Sequence, residues 1–334
     1  MKIAVFETEQ WEQEACLRLA PRHSISCTSA ALTATTARDH VDAEILSPFV
    51  YSRLDATVLT HFPSLQLVAT RSTGYDHIDM DYCRANSITV CNVPDYGDST
   101  VAEHVFALIL GVSRRIPECV ERTRRGNFSP SGLRGFELRG KTLAVIGTGR
   151  IGRRVIEIAN GFGMPVIAVD RQQDHTAAQR LGFHYAPLEE ALACADIVTL
   201  HVPSSTETTH LISDREFGLM RPGAVLINTA RGSVVNVAAL VRALGEGKLK
   251  AAGLDVLPQE PILRDEAEIF RSATTVPEPE LKAIIANHAL LRFPNVFVTP
   301  HNAYNTTEAV GRIIGTTIEN IEAFARGEPR NLVA

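Results

Sequence analysis

Short apolar runs, bounded by polar and glycine positions, recur along the chain and are separated by segments with helical apolar spacing. Residues 2–6, 24–28, 44–46, 58–60, 65–70 and 88–92 read as strands, and residues 11–19 as a helix. The pattern returns at residues 142–146, 164–169, 195–201, 224–228, 252–256 and 295–299, with helices over 150–159, from Pro187, from Asp214 and over 236–245. Short apolar strands alternating with helices predict parallel sheets covered on both faces. Thr100 and Glu103 have T-x-x-E capping spacing, which predicts a helix from near Val101; it is apolar nearly all round and therefore buried. Residues 281–291 and 306–326 read as further helices, and TTVPEP at 274–279 as an exposed loop.

The most informative stretch runs from Lys141 to Asp170, KTLAVIGTGRIGRRVIEIANGFGMPVIAVD, which reads as strand, glycine turn, helix, strand and acidic stop. Gly147, Gly149 and Gly152 complete G-x-G-x-x-G. In a dinucleotide fold the first permits the tight turn, the second lets backbone approach a pyrophosphate, and the third lets helix and strand pack closely. The helix start offers unpaired N–H groups and partial positive charge to the pyrophosphate. Asp170 lies eighteen residues after Gly152, where an acid accepts hydrogen bonds from an adenosine ribose diol. Arg171 beside it could attract the 2'-phosphate of NADP, but Asp170 repels that phosphate, so NAD is the expected cofactor.

A length of 334 residues suits two domains. The boundaries expected are 1–98 with 302–334 for a substrate domain, the final helix crossing back, and 99–301 for a nucleotide domain. The fold class is α/β, two doubly wound parallel-sheet domains: a Rossmann nucleotide domain and a smaller flavodoxin-like one. Hydrophobic residues make up 45% and charged residues 21%, with a net charge of -5 and no long basic run, so nucleic acid and anionic membrane surfaces are not expected partners. No apolar run reaches a membrane span, and residues 101–112 are interrupted by Glu103 and His104. Six cysteines without C-x-x-C spacing and a start without signal-peptide character point to a reducing cytoplasm. His77, His104, His210 and His288 lack metal-ligand spacing, so no metal site is expected and packing or surface roles are assigned.

Arg231, Glu260 and His301 fall at or beyond predicted strand ends in the C-terminal half. A doubly wound sheet brings such ends to one edge, uniting an anion clamp, a carboxylate and an imidazole. The blocks RSTGYDHID, NVPDYGDSTVAEHVFALIL, VIGTGRIG, LHVPSSTETTHLI, INTARGSVV, GLDV and TPHNAYNTTEAV are each similar, in order and over essentially the whole chain, to blocks of the D-isomer-specific 2-hydroxyacid dehydrogenases, most like the D-lactate dehydrogenase branch.

That resemblance implies a stereospecific hydride transfer between NADH and a small 2-keto acid, pyruvate and D-lactate first. Glyoxylate, hydroxypyruvate or a bulkier 2-keto acid, and a dinucleotide-sensing corepressor of the same family, stay open as alternatives. Arg231 would grip the substrate carboxylate and polarise the keto oxygen. His301 would protonate that oxygen, with Glu260 favouring the imidazolium. The N–H groups of Thr73 and Gly74 would receive the carboxylate, with Tyr96 nearby and Tyr304 facing the substrate's C3 side; for both tyrosines an aromatic wedge at a domain interface is the competing role. Arg150 and Ile151 would lie against the pyrophosphate. Thr229, Ala230 and Asp255 would line the nicotinamide side, and His201 and Pro203 the adenosine half. The longer separation of Glu260 and His301 is similar to some D-lactate dehydrogenases. A homodimer is implied, with the helix at 101–112 contributing to it.

Overall fold

In the computed structural model, which describes residues 1–258 and 278–333, the first apolar runs become β1 (Lys2–Val5), β2 (Ser24–Cys27), β3 (Ile45–Ser47), β4 (Leu67–Ala69) and β5 (Thr89–Cys91). All pair in parallel in the order β2-β1-β3-β4-β5. Interior strands β3 and β4 are buried at every position, which is why they read as unbroken apolar runs, whereas edge strand β2 is partly exposed along its length. This is the flavodoxin-like order. The expected strand at 58–60 is instead part of the helix Ala56–Leu59. The Asp55 carboxylate accepts the Val58 N–H at 3.1 Å, and this local cap overrides the strand propensity of β-branched residues.

This sheet belongs to a unit made of Met1–Tyr96 and Asn305–Ala334. Its returning helix, Thr307–Ala325, is capped by the Thr306 hydroxyl and packs on the helix Gln10–Cys16 and on β4. Ile321 from that helix joins Ile3, Ile45 and Leu67 in one buried cluster. The C-terminal tail lies along β5, with Asn92 N–H donating to Asn331 O and Val333 N–H to Val90 O.

The second unit, Gly97–Tyr304, contains β6 (Leu143–Ile146), β7 (Val166–Val169), β8 (His184–Tyr185), β9 (Ile197–Leu200), β10 (Ala224–Asn228), β11 (Leu249–Leu254) and β12 (Val296–Val298). They form one parallel sheet in the order β12-β11-β10-β9-β6-β7-β8. Counted from β6, this is the Rossmann order 3-2-1-4-5-6 with one strand added. Strand order reverses between β6 and β9, so the crevice at their carboxyl ends is where such a sheet takes a ligand. The two-residue β8 was not anticipated, being too short to carry a periodicity.

The helix expected from Val101 runs over Asp98–Arg114 and begins one turn earlier, after Gly97. Asp98 supplies negative charge to its first turn, while Thr100 is buried rather than standing at the cap. This helix packs on the helix Arg150–Gly161 and on β10, β11 and β12, so its apolar surface is used inside its own unit. The helix Glu278–Leu291 starts inside the stretch expected to be loop, and residues 274–277 lie outside the described ones. Among the described residues no helix is long and apolar enough to cross a membrane.

Candidate active site

The glycine turn after β6 distributes its three positions by the space each needs. Gly147 has φ +100°, and a Cβ there would lie 2.6 Å from His201 O. At Gly152 a Cβ would fall 2.0 Å from Gly147 O, so only glycine lets the helix Arg150–Gly161 approach the turn. Gly149, the residue capping that helix, meets nothing within 4 Å. Two glycines thus serve the protein's own packing, and the third borders open space in front of helical N–H groups, the arrangement a pyrophosphate requires. Arg150 and Ile151 form the first helical positions, with Arg150 Nε 3.2 Å from Asp98 Oδ2.

Asp170 stands directly after β7. Its Oδ2 accepts the Thr148 N–H at 2.6 Å and the Thr148 hydroxyl at 2.9 Å, and its Oδ1 accepts the Gln172 N–H at 3.0 Å. Burial works against the ionised form, but these donors outweigh it and hold the carboxyl below the usual carboxylate range. Arg171 is ion-paired with Glu207. His201 follows β9, lies 3.0 Å from Thr199 Oγ1, and has its pKa pushed down to about 3 by burial, so the ring is neutral. Pro203 is exposed, and its carbonyl accepts the Thr208 hydroxyl at 2.6 Å.

The carboxyl ends of β10, β11 and β12 are joined through Asp255. Asp255 N–H donates to Asn228 O, and His301 N–H donates to Asp255 O, both at 2.9 Å. Asn228 shapes the turn after β10: its Oδ1 accepts the Ala230 N–H at 3.0 Å and its Nδ2 donates to Arg231 O at 2.9 Å. Arg231 Nη1 donates to Ala230 O at 2.8 Å. At Gly232 a Cβ would lie 2.2 Å from the Leu257 carbonyl carbon, so the segment after β11 packs directly on the Arg231 turn. Thr229 Oγ1 is buried and lacks a hydrogen-bond partner among the described residues. That orphaned hydroxyl, with the open space at Gly149, fits a bound dinucleotide along this edge.

The Asp255 carboxylate, 1% exposed, accepts from Asn302 N–H at 2.8 Å, from Ala303 N–H at 2.9 Å and from the Thr299 hydroxyl. His104 Nε2 lies 3.0 Å from Thr299 Oγ1 and 3.3 Å from Asp255 Oδ1. With the threonine proton directed to the carboxylate, Nε2 is the donor. Burial again pushes the Asp255 pKa up, and the donors, His104 first, bring it below the ordinary value. The turn they hold carries His301, whose φ of +52° is left-handed and needs such support in a non-glycine residue. Tyr304, half-buried, closes the same segment. Glu260 lies outside the described residues.

In the other unit, β4 is followed by Thr70 and Arg71, the latter 1% exposed and donating to Glu12 Oε1 at 2.6 Å. The loop beyond it is pinned by Asn92 Nδ2 donating to Thr73 O at 2.8 Å and by the Ser72 hydroxyl donating to Gly74 O at 2.6 Å. Among the described residues, the backbone N–H groups of Thr73 and Gly74 have no acceptor. Tyr96 O accepts Arg312 Nε at 3.1 Å and Nη2 at 2.6 Å.

Sequence reasoning missed Thr148, Asn228, Gly232 and Thr299 and set His104 aside as a packing or surface residue. Thr148 and Gly232 sit inside motifs already recognised, so their neighbours were a usable signal. His104 has none, because only the packing of its helix on β11 brings it to Asp255.

The family described as D-isomer specific 2-hydroxyacid dehydrogenase, NAD binding domain, matches residues 106–303. The chain is 38% identical over 300 residues to a glyoxylate reductase of Aeropyrum pernix, covering 87% of this chain and 83% of that protein. It is 32% identical over 339 residues to a D-lactate dehydrogenase of Escherichia coli, covering 100% of each. The crystal structure of D-lactate dehydrogenase from Aquifex aeolicus, complexed with NAD and lactic acid, matches with a TM-score of 0.86 at 35% identity, covering 98% of this chain and 96% of that chain.

Proposed function

The chain belongs to the D-isomer-specific 2-hydroxyacid dehydrogenase family and is an NAD-dependent oxidoreductase, and on that premise we propose that its principal reaction interconverts pyruvate and D-lactate. The observation that carries the assignment of the site is the backbone link from Asn228 through Asp255 to His301, which joins the Arg231 turn to the His301 turn at one sheet edge. Full-length similarity to D-lactate dehydrogenases and the long connection between Glu260 and His301 support pyruvate.

The bound cofactor supplies a hydride to the keto carbon. Gly147, Gly149, Gly152, Arg150 and Ile151 are assigned to the pyrophosphate, Asp170 to the adenosine ribose, His201 and Pro203 to the adenosine half, and Thr229 and Ala230 to the nicotinamide side. Arg231 grips the substrate carboxylate and draws electron density onto the keto oxygen. His301, protonated, gives its proton to that oxygen as negative charge develops there; in the reverse direction it accepts the hydroxyl proton. Glu260 is assigned as the partner that favours the imidazolium. Asp255 was expected beside the nicotinamide; since its carboxylate is 1% exposed and spent on the turn at Asn302 and Ala303, we assign it to holding His301 instead. Thr73 and Gly74 offer N–H groups to a carboxylate, and Tyr96 and Tyr304 are assigned to the substrate's side-chain end.

Glyoxylate reduction is the second reading, favoured by the higher identity to archaeal glyoxylate reductases. Following NADH oxidation with pyruvate, glyoxylate, hydroxypyruvate and a branched 2-keto acid separates them. The highest kcat/KM is expected for pyruvate, with D-lactate as product; a glyoxylate value about tenfold above it overturns the assignment. We also propose a homodimer, to which the exposed apolar residues Ile116, Val120 and Phe128 contribute beside the helix that precedes them.

A further inference from the structure

Behind Asp170, Thr148, Tyr185, Asp174 and Arg153 close a ring through side-chain and backbone groups, and its proton directions are determined. Thr148 is 2% exposed and sends both its N–H and its hydroxyl to Asp170 Oδ2. Since the one hydroxyl proton goes to the carboxylate, Thr148 Oγ1 accepts from the Tyr185 hydroxyl, 2.9 Å away. Tyr185 in turn accepts the Asp174 N–H at 3.1 Å. Arg153 completes the ring, donating from Nε to Thr148 O at 2.8 Å and pairing with Asp174 Oδ2 at 3.1 Å. The strand that brings Tyr185 into place is the two-residue β8, at the sheet's edge next to β7.

We propose that Thr148 and Tyr185 are positioning residues that fix the stance of the Asp170 carboxylate and thereby make the site select a dinucleotide with a free adenosine ribose diol over its 2'-phosphorylated form. A carboxylate free to rotate can turn away from a 2'-phosphate and leave it to a neighbouring cation. One tied through Oδ2 to a buried threonine stays where it repels the phosphate and accepts from the diol. The neighbouring cation, Arg171, is itself engaged by Glu207, which reinforces the same choice. This inference rests on the assignment of Asp170 to the adenosine ribose.

The test is direct binding of NADH and NADPH to the full-length protein, followed by nucleotide fluorescence, with 2-keto acid reduction and thermal melting measured alongside. Thr148→Val keeps the side-chain shape and the N–H but removes the hydroxyl. It is expected to raise the Kd for NADH about 5- to 20-fold and to change that for NADPH less than about twofold. Tyr185→Phe should move the ratio in the same direction by about 2- to 5-fold. Thr148→Ser should restore the parental ratio to within about twofold. A parental NADH to NADPH preference in both Thr148→Val and Tyr185→Phe, whatever their melting temperatures, overturns the proposal. So does a parent protein that binds the two dinucleotides equally. A parent that binds NADH tightly but reduces no 2-keto acid would strike the proposed reaction instead, and the binding comparison would still decide the role of Thr148.

Discussion

Asp170 and Asp255 occupy equivalent places in the nucleotide-binding sheet, the first directly after β7 and the second directly after β11. Each accepts two backbone N–H groups and a threonine hydroxyl, from Thr148 and Gln172 in one case and from Thr299, Asn302 and Ala303 in the other. In both, the donors outweigh burial and hold the carboxyl below its ordinary range. The difference is access: Asp255 is 1% exposed and is faced by His104, whereas Asp170 stays partly open at the ligand edge. The same local chemistry therefore builds two devices. At β7 it presents a charge to a ligand; at β11 it consumes a charge to hold a left-handed histidine in place.

The sharpest way to separate the two ends is to remove what each one carries. At the β11–β12 end that is His301. Replacing it by Ala should lower turnover by about 10² to 10⁴ while leaving NADH binding nearly intact. Parental turnover in that variant would remove the proton-transfer role and with it the reason for Asp255 to be buried.

Exchanging the two acids for Ala comes next in size. Asp255→Ala removes a carboxylate that is 1% exposed and leaves the buried Ala303 N–H without its acceptor, so a loss of about 2 to 4 kcal/mol in urea unfolding is expected, together with reduced turnover. Asp170→Ala removes a partly open carboxylate whose place beside Thr148 and Gln172 water can take, so its stability should change by less than about 1 kcal/mol, while the Kd for NADH rises about 20-fold or more. If the two variants showed the opposite pattern, with stability lost at Asp170 and binding lost at Asp255, the division drawn from exposure would fail.

The contrast also marks how far the sequence could be read. Gly147, Gly149, Gly152 and Asp170 were legible because their roles follow from local spacing around one strand–turn–helix unit. So were both parallel sheets, since buried interior strands write themselves as apolar runs. The work of Asp255 was not legible: it depends on β11 pairing with β10 and β12 in register, and on a turn more than forty residues later in the chain. His104 reaches that carboxylate only because its helix packs across the sheet. Tyr185 joins Thr148 through a strand of two residues, below the length at which any periodicity exists. Val58 failed for the opposite reason: a local cap from Asp55 decided the segment before strand propensity could.

The smallest expected effect concerns acid. A carboxyl whose folded pKa is depressed contributes stability that is fully present above its unfolded value, about 3.9 for aspartate, and is lost as pH falls through the lower folded value. Both acids meet that condition, so both contribute to acid resistance from neutral pH down to the ordinary carboxylate range and lose the contribution below it. Their shares should differ, because the Asp255 carboxylate is itself cut off from water and the Asp170 carboxylate is partly open. Unfolding free energy measured between about pH 3 and 6 should therefore flatten more in Asp255→Asn than in Asp170→Asn, each relative to its own value at neutral pH. Equal flattening would mean that access to water does not distinguish the two carboxylates, and the comparison would reduce to their positions in the sheet.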